Sequence, residues 1–314
     1  MSETLLLTPG PTPVPESVRL AMARALMHHR TDAFTEVFLR AQAGLKWAHQ
    51  TEDDVVMLTC SGTGAFEAAM IAFTSSEDTI VCVGGGKFGE RWSAVGRAYG
   101  MNVVELPVEW GKQVDPQMVA RALAAHPECA MVTVSASETS TGVLHPVQEL
   151  GEVVKKHSSA LLVVDGITAV GVHPLPMAEW GIDVLVSGSQ KAFSLPPGMA
   201  FVAAGERSWS RAVRSDHRRY YLDLVRERDK QRDGQTAFTP AISLVVGLDE
   251  VVQLMQERGR ERGFLLHAKH ARGARAGLEA LGLTAFAQHP SHALTSATMP
   301  QGVFAPAVLK HMRQ

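Results

Sequence analysis

Residues 161–166 read Leu161-Leu162-Val163-Val164-Asp165-Gly166: four branched aliphatic side chains in a row, then a carboxylate and a glycine. A strand with one solvated face alternates apolar and polar residues. An unbroken apolar run suits a strand buried on both faces of a parallel sheet. Working outward, Val55–Thr59, Thr79–Val83, Asn102–Leu106 and Ala130–Ser135 precede this run and Asp183–Ser187 follows it, with helical stretches between. Gln117–Ala125 is the clearest of those stretches, because Asp115 can cap it and Pro116 suits the first helical position. Alternation of strand and helix predicts an α/β layered fold with helices on both faces of the sheet. In such sheets ligands collect at the carboxyl ends of the strands, so the turns after the apolar runs are the places to search for chemistry.

Beyond residue 200 the character changes. Glu206–Asp233 interleaves arginines with acids, which reads as a solvated helical surface rather than a basic groove. Pro240 opens a helical pattern that runs to about Leu278, Ala293–Met299 predicts a strand, and Pro306–Met312 predicts the start of a helix. The 314 residues are 46% hydrophobic and 20% charged, enough chain for one large core and a smaller satellite domain. A net charge of -2 gives no electrostatic reason to expect nucleic acid or an anionic membrane as partner. Cys60, Cys82 and Cys129 are odd in number and lack CxxC spacing, which favours a reduced, cytoplasmic protein over a disulfide framework. The apolar stretch near the N-terminus is short and soon broken by proline, unlike a signal peptide. No run approaches the roughly 20 apolar residues of a membrane span.

Four strand ends carry candidate chemistry. Ser61-Gly62-Thr63-Gly64 lies between Val55–Thr59 and the helical stretch Ala65–Phe73. Its backbone N–H groups, two hydroxyls and the positive end of a helix make a phosphate site or an ordinary capping turn. Gly84-Gly85-Gly86-Lys87-Phe88-Gly89 satisfies G-x-G-x-x-G, with Glu105 ending the next strand, so a nicotinamide dinucleotide is a rival reading. The pattern follows the second strand of the unit rather than the first, which weakens that reading. Asp165 could pair with a protonated ring nitrogen, bind a metal or cap a turn. No His or Cys stands at ligand spacing nearby, so a metal is the least favoured and none is assigned. Lys191, in Ser187-Gly188-Ser189-Gln190-Lys191, follows a buried strand directly. A lysine drawn into such a cleft can lose its proton and attack a carbonyl.

Taken in order, TPGPTPVP at 8–15, SGTGAFEA at 61–68, ASETSTGV at 136–143, VVDGITAVG at 163–171, SGSQKAFSLPPG at 187–198, YYLDL at 220–224 and QTAFTPAISL at 235–244 resemble the class V aminotransferases of the alanine–glyoxylate and serine–pyruvate type. The resemblance covers nearly the whole chain. It implies the type I fold of pyridoxal-phosphate transferases: a mostly parallel seven-stranded sheet between helices, plus a partial C-terminal α+β domain. The corresponding division is an N-terminal segment 1–20, a large domain 21–245, and a linking helix with an incomplete small domain over 246–314. The implied cofactor is pyridoxal 5′-phosphate.

The same resemblance implies residue roles. Lys191 would hold the cofactor as a Schiff base and carry the substrate proton, and Asp165 would pair with the pyridine nitrogen. Gln190 and Ser61, Gly62 and Thr63 would hold the phosphate. Phe88 would stack on the ring where relatives usually have tryptophan, Ile167 would pack on its other face, and Thr139 would contact the ring substituents. Thr239 would reach the phosphate of a neighbouring subunit, implying a homodimer, and Gly10 would lie near the substrate. Thr236 stands where some relatives have tyrosine and receives no role. The expected reaction moves an amino group from a small amino acid, alanine or serine, to a 2-oxo acid, glyoxylate or pyruvate. A desulfurase needs a mobile cysteine, and all three cysteines lie in or beside strands. One departure matters. Relatives carry an R-[IL]-G motif whose arginine grips the substrate carboxylate, and none follows Pro306–Met312. The expectation is either an incomplete sequence or a chain with a weakened substrate site, in the extreme a cofactor-binding relative without turnover.

Overall fold

The computed structural model describes residues 6–312. Two helices lead in, α1 (Glu16–Met22) and α2 (Asp32–His49). Then strands and helices alternate: β1 (Asp54–Leu58), α3 (Gly62–Phe73), β2 (Thr79–Val83), α4 (Lys87–Ala98), β3 (Asn102–Leu106), α5 (Pro116–Ala125) and β4 (Met131–Ser135). A short hairpin, β5 (Ser137–Glu138) and β6 (Val143–Leu144), interrupts the alternation before α6 (Val147–His157) and β7 (Leu161–Asp165). After α7 (Met177–Trp180) come β8 (Val184–Gly188), β9 (Ala200–Ala204), α8 (Glu206–Ala212) and α9 (Leu224–Gln231). The last part holds α10 (Ile242–Arg258), α11 (Arg260–Ala280), the pair β10 (Thr284–Ala285) and β11 (Ala297–Thr298), and α12 (Ala305–Met312).

The main sheet has seven strands in the order β1-β9-β8-β7-β4-β2-β3. β3, β2, β4, β7 and β8 pair in parallel, while β9 runs antiparallel to both β8 and β1. The sheet is thus mostly parallel, as expected. Every residue of β7 is buried, and its side chains divide between two cores. Leu162 and Val164 enter the core that α2, α5, α6 and α10 cover, whereas Leu161 and Val163 enter the one beneath α3, α4 and α8. Each fully buried aliphatic side chain of this kind contributes about 1.5–3 kcal/mol. Two-sided burial is therefore why the 161–165 run carries no polar residue before its end.

Two expectations change. The helical pattern from 240 to 278 is two helices, because Gly259 takes φ +80° and ends α10 with its N–H bonded back to Met255 and Gln256. The strand expected over 293–299 shrinks to β11, which pairs only with the two residues of β10. Among the described residues no helix is long and apolar enough to cross a membrane. No group of three or more His, Cys, Asp or Glu among them could hold a metal ion.

Candidate active site

The carboxyl ends of β1, β2, β7 and β8 open onto one cavity of about 300 Å³. Lys191 reaches it from the turn after β8. That turn is closed by Ser189, whose N–H and hydroxyl donate to the carbonyls of Met199 (3.0 Å) and Pro196 (2.8 Å). Two residues earlier, Ser187 is fixed by His49. Nδ1 of His49 lies 2.8 Å from the Leu45 carbonyl, which can only accept, so Nδ1 carries the proton and Nε2 accepts from the Ser187 hydroxyl at 2.8 Å. Burial pushes the His49 pKa down to about 4, which keeps this tautomer neutral.

The N-terminal segment locks the lysine from the other side. Thr12 donates from its N–H to the Gln190 carbonyl (3.2 Å) and from its hydroxyl to the Lys191 carbonyl (2.9 Å). Lys191 Nζ donates to the Pro9 carbonyl at 2.8 Å. Gly10 takes φ +154°, and a Cβ there would stand 2.7 Å from Lys191 Nζ. Only glycine lets the segment pass so close to the amine. Lys191 is half-buried, and burial lowers its pKa, with the Asp165 charge acting the other way.

Asp165 ends β7 and is buried. Its carboxyl accepts from the Ile167 N–H at 2.9 Å and from the Ser135 hydroxyl at 3.0 Å. Burial outweighs both bonds and raises its pKa to about 7. Among the described residues no cation forms an ion pair with it, and the Lys191 charge offsets only part of the burial.

Two glycine-rich turns complete the wall. Ser61 caps α3 without a side-chain bond, and the N–H groups of Gly62, Thr63 and Gly64 meet no protein acceptor among the described residues. Ile167 packs against this turn, so that a Cβ on Gly62 would sit 2.3 Å from Ile167 Cδ1. The second turn behaves differently. The Phe88 and Gly89 N–H groups donate to Glu138 Oε2 at 3.1 and 3.0 Å, and the Lys87 N–H donates to the Ser140 hydroxyl. A buried carboxylate of the protein thus occupies the start of α4, where a dinucleotide pyrophosphate would have to lie. Gly86 and Gly89 are there for packing: Cβ atoms would stand 2.3 Å from the Glu138 side chain and 2.5 Å from the Val83 carbonyl.

Gly10, Ser61, Gly62, Thr63, Phe88, Thr139, Asp165, Ile167, Gln190 and Lys191 all line this cavity. Thr139 is held there by a 2.7 Å hydrogen bond with Thr168. Thr239 does not join them. It lies in a separate small hollow with Tyr221, Phe238 and Pro240. Sequence reading missed Arg91, which lines the cavity, and Glu138, which sets the start of α4. Arg91 could have been found from its i,i+3 spacing to Phe88 on one helix. Glu138 lies 50 residues from Phe88, and no local signal joins them.

The Aminotransferase class-V family model matches residues 5–310. The chain belongs to the class-V aminotransferase family. It is a pyridoxal-phosphate-dependent transaminase by that membership. Its similarity extends to the soluble hydrogenase 42 kDa subunit of Anabaena cylindrica, 41% identical over 94% of this chain and 78% of that protein. Among solved structures, the aspartate aminotransferase of subgroup IV from Thermus thermophilus is 34% identical with a TM-score of 0.93, covering 99% of this chain and 87% of that one. The alanine–glyoxylate aminotransferase from Nostoc sp. is 28% identical with a TM-score of 0.94, covering 99% and 84%.

Proposed function

We propose that this class-V aminotransferase moves an amino group from a small amino acid, alanine or serine, to a 2-oxo acid such as glyoxylate or pyruvate, with Lys191 as anchor and base. The observation that carries this reading is a half-buried lysine and a buried carboxyl facing one cavity, each pushed by burial toward its neutral form. Pyridoxal phosphate, when bound, supplies an aldehyde that condenses with amines and a ring that takes up an electron pair. The residues suit that group. Asp165 is a buried carboxyl in want of a cation, and a protonated ring nitrogen would hold it ionised. The unclaimed N–H groups of Gly62, Thr63 and Gly64, with Ser61 and Gln190 beside them, suit a phosphate.

Lys191 Nζ is the atom that takes the proton from the substrate Cα and gives it back. Its lowered pKa raises the share of free amine able to do so. Phe88 and Ile167 would bound the ring from two sides, Thr139 would meet its substituents, and Gly10 would leave room for substrate beside Nζ. Thr239 would serve the phosphate of a second copy of the chain, so the working form is a homodimer. All three cysteines are free, which suits a reducing cytoplasm.

The name of the Nostoc relative supports glyoxylate as acceptor, while that of the Thermus relative makes aspartate the competing donor. A coupled assay of alanine, serine and aspartate against glyoxylate separates them, with alanine or serine expected to give the highest kcat/KM. Preference for aspartate would overturn the donor assignment. Lys191→Ala should lower turnover by about 10⁴-fold or more, and near-normal transamination by that variant would overturn the mechanism.

A further inference from the structure

Arg91 lies one helical turn beyond Phe88 on α4, so the two side chains share a face. Its guanidinium stands over the Phe88 ring at 4.7 Å, and Nη1 donates to the Thr63 hydroxyl at 3.0 Å. Two neighbours on the helix are neutralised: Lys87 pairs with Glu90 and Arg97 with Glu105. Arg91 has no carboxylate partner among the described residues, and no other arginine among them lines the cavity. The spacing between Arg91 and Thr63 is set by packing. Phe66, three residues past Thr63, and Trp92, next to Arg91, stack at 3.9 Å and 11° in the core between α3 and α4.

The hydrogen accounting at Thr63 is specific. A guanidinium can only donate, so Thr63 Oγ1 accepts from Arg91 and its own O–H is left to donate elsewhere. A hydroxyl that accepts from a cation is polarised into a stronger donor. It sits on the first turn of α3, beside N–H groups that have no protein acceptor. An uncompensated positive charge, a hydroxyl turned donor and a free helix start all face the same end of the cavity.

We propose that Arg91 is a positioning residue for the phosphate end of the cofactor, acting through Thr63. This rests on the reading of residues 61–63 as the phosphate turn. Arg91 fixes the direction of the Thr63 hydroxyl and sets a positive charge behind it, favouring a dianionic phosphate over a neutral group of the same size. The stacking on Phe88 aligns the guanidinium.

The test compares two probes on the cofactor-free protein, pyridoxal phosphate and pyridoxal, which lacks the phosphate. Wild type, Arg91→Met, Arg91→Lys and Thr63→Val are each titrated by absorbance. Arg91→Met should weaken pyridoxal phosphate by about tenfold or more and leave pyridoxal within about twofold. Thr63→Val should show the same selective loss, and the double variant should lose little beyond either single one, because one relay is being cut twice. Arg91→Lys should recover part of the loss through its charge. Equal weakening of both probes would make Arg91 a support for the Phe88 ring and overturn the proposal. Unchanged binding of both with a raised KM for alanine or glyoxylate would make it a substrate-carboxylate group and overturn the proposal too. Should Arg91→Met fail to fold, Thr63→Val decides alone by the same two-probe ratio. A wild type that holds pyridoxal as tightly as pyridoxal phosphate would instead remove the phosphate reading of the turn itself, a failure distinguishable from that of Arg91.

Discussion

The two glycine-rich turns, 61–64 and 84–89, follow strands that end at the same edge of the sheet, and each opens a helix of 12 residues. They differ in what meets the helix start. At α4 the buried Glu138 side chain accepts from Phe88, Gly89 and Ser140 N–H groups and from the Ser140 hydroxyl. At α3 the corresponding N–H groups face an open cavity that also holds Lys191 and Asp165. Both helix ends have the same intrinsic affinity for anions. The protein satisfies one with its own carboxylate and leaves the other free. A glycine pattern therefore identifies a turn, and the remainder of the fold decides whether that turn can take a ligand.

The two buried carboxyls divide in the same way, which gives the largest expected effect. Asp165 accepts two hydrogen bonds and its pKa rises to about 7 on burial. A carboxyl whose folded pKa lies above its unfolded one holds more protons in the folded state between those values. Its contribution is harmless below about pH 4 and becomes destabilising as pH rises to about 7, by on the order of a few kcal/mol for the cofactor-free protein. His49, His145 and His173 are lowered to about 4, about 4 and about 3, and burial gives them the opposite sign, with stability lost as they protonate. The difference between wild type and Asp165→Asn isolates Asp165. In urea titrations without cofactor, Asp165→Asn should gain relative to wild type as pH goes from 4 to 7, and bound pyridoxal phosphate should reverse that gain. A difference that is flat with pH would contradict the assignment of a cation-seeking carboxyl.

Glu138 provides the next effect. Glu138→Ala leaves buried N–H groups at α4 unpaired, which should cost roughly 3 kcal/mol in urea unfolding. It should also weaken cofactor binding through Phe88. Added phosphate should not rescue the variant if the glycines at 84–89 serve only packing, since Gly86 and Gly89 lie against Glu138 and Val83. Rescue by phosphate or a dinucleotide would mean that the α4 turn is a latent anion site and would erase the contrast between the turns.

Much of this contrast was hidden in the sequence, while the frame was not. β2, β3 and β7 have the bounds expected of them: β2 and β7 are buried on both faces and leave a continuous hydrophobic signature, whereas β3 is a partly exposed edge strand carried by Val103 and Val104. Asp165 and Lys191 were legible because each follows such a run directly. β9 was missed: Ala200-Phe201-Val202-Ala203-Ala204 is rich in alanine, a poor strand former alone, and its place comes from pairing between β1 and β8. The helix α2 also went unread, although Thr31 caps it by accepting from the Phe34 N–H. Glu138 and Arg91 act through contacts 50 and 28 residues away in the chain. Such contacts exist only once the sheet has brought its strand ends together.

The smallest effect belongs to Lys87, the lysine of the glycine pattern at 84–89. Its side chain is exposed and pairs with Glu90 three residues on. Lys87→Ala should change stability by no more than about 0.5 kcal/mol and leave kcat/KM for transamination unchanged. A marked loss of activity would bring the second turn into the chemistry.

Borohydride reduction of the protein with pyridoxal phosphate, followed by peptide mass mapping, tests the division between the turns most directly. Lys191 faces the cavity beside the open turn, and Lys87 stands exposed at the filled one. A single pyridoxyl group on Lys191 is the expected result. A pyridoxyl group on Lys87 instead, or none on Lys191, would contradict the assignment of the cofactor to the cavity at the carboxyl ends of β1, β2, β7 and β8.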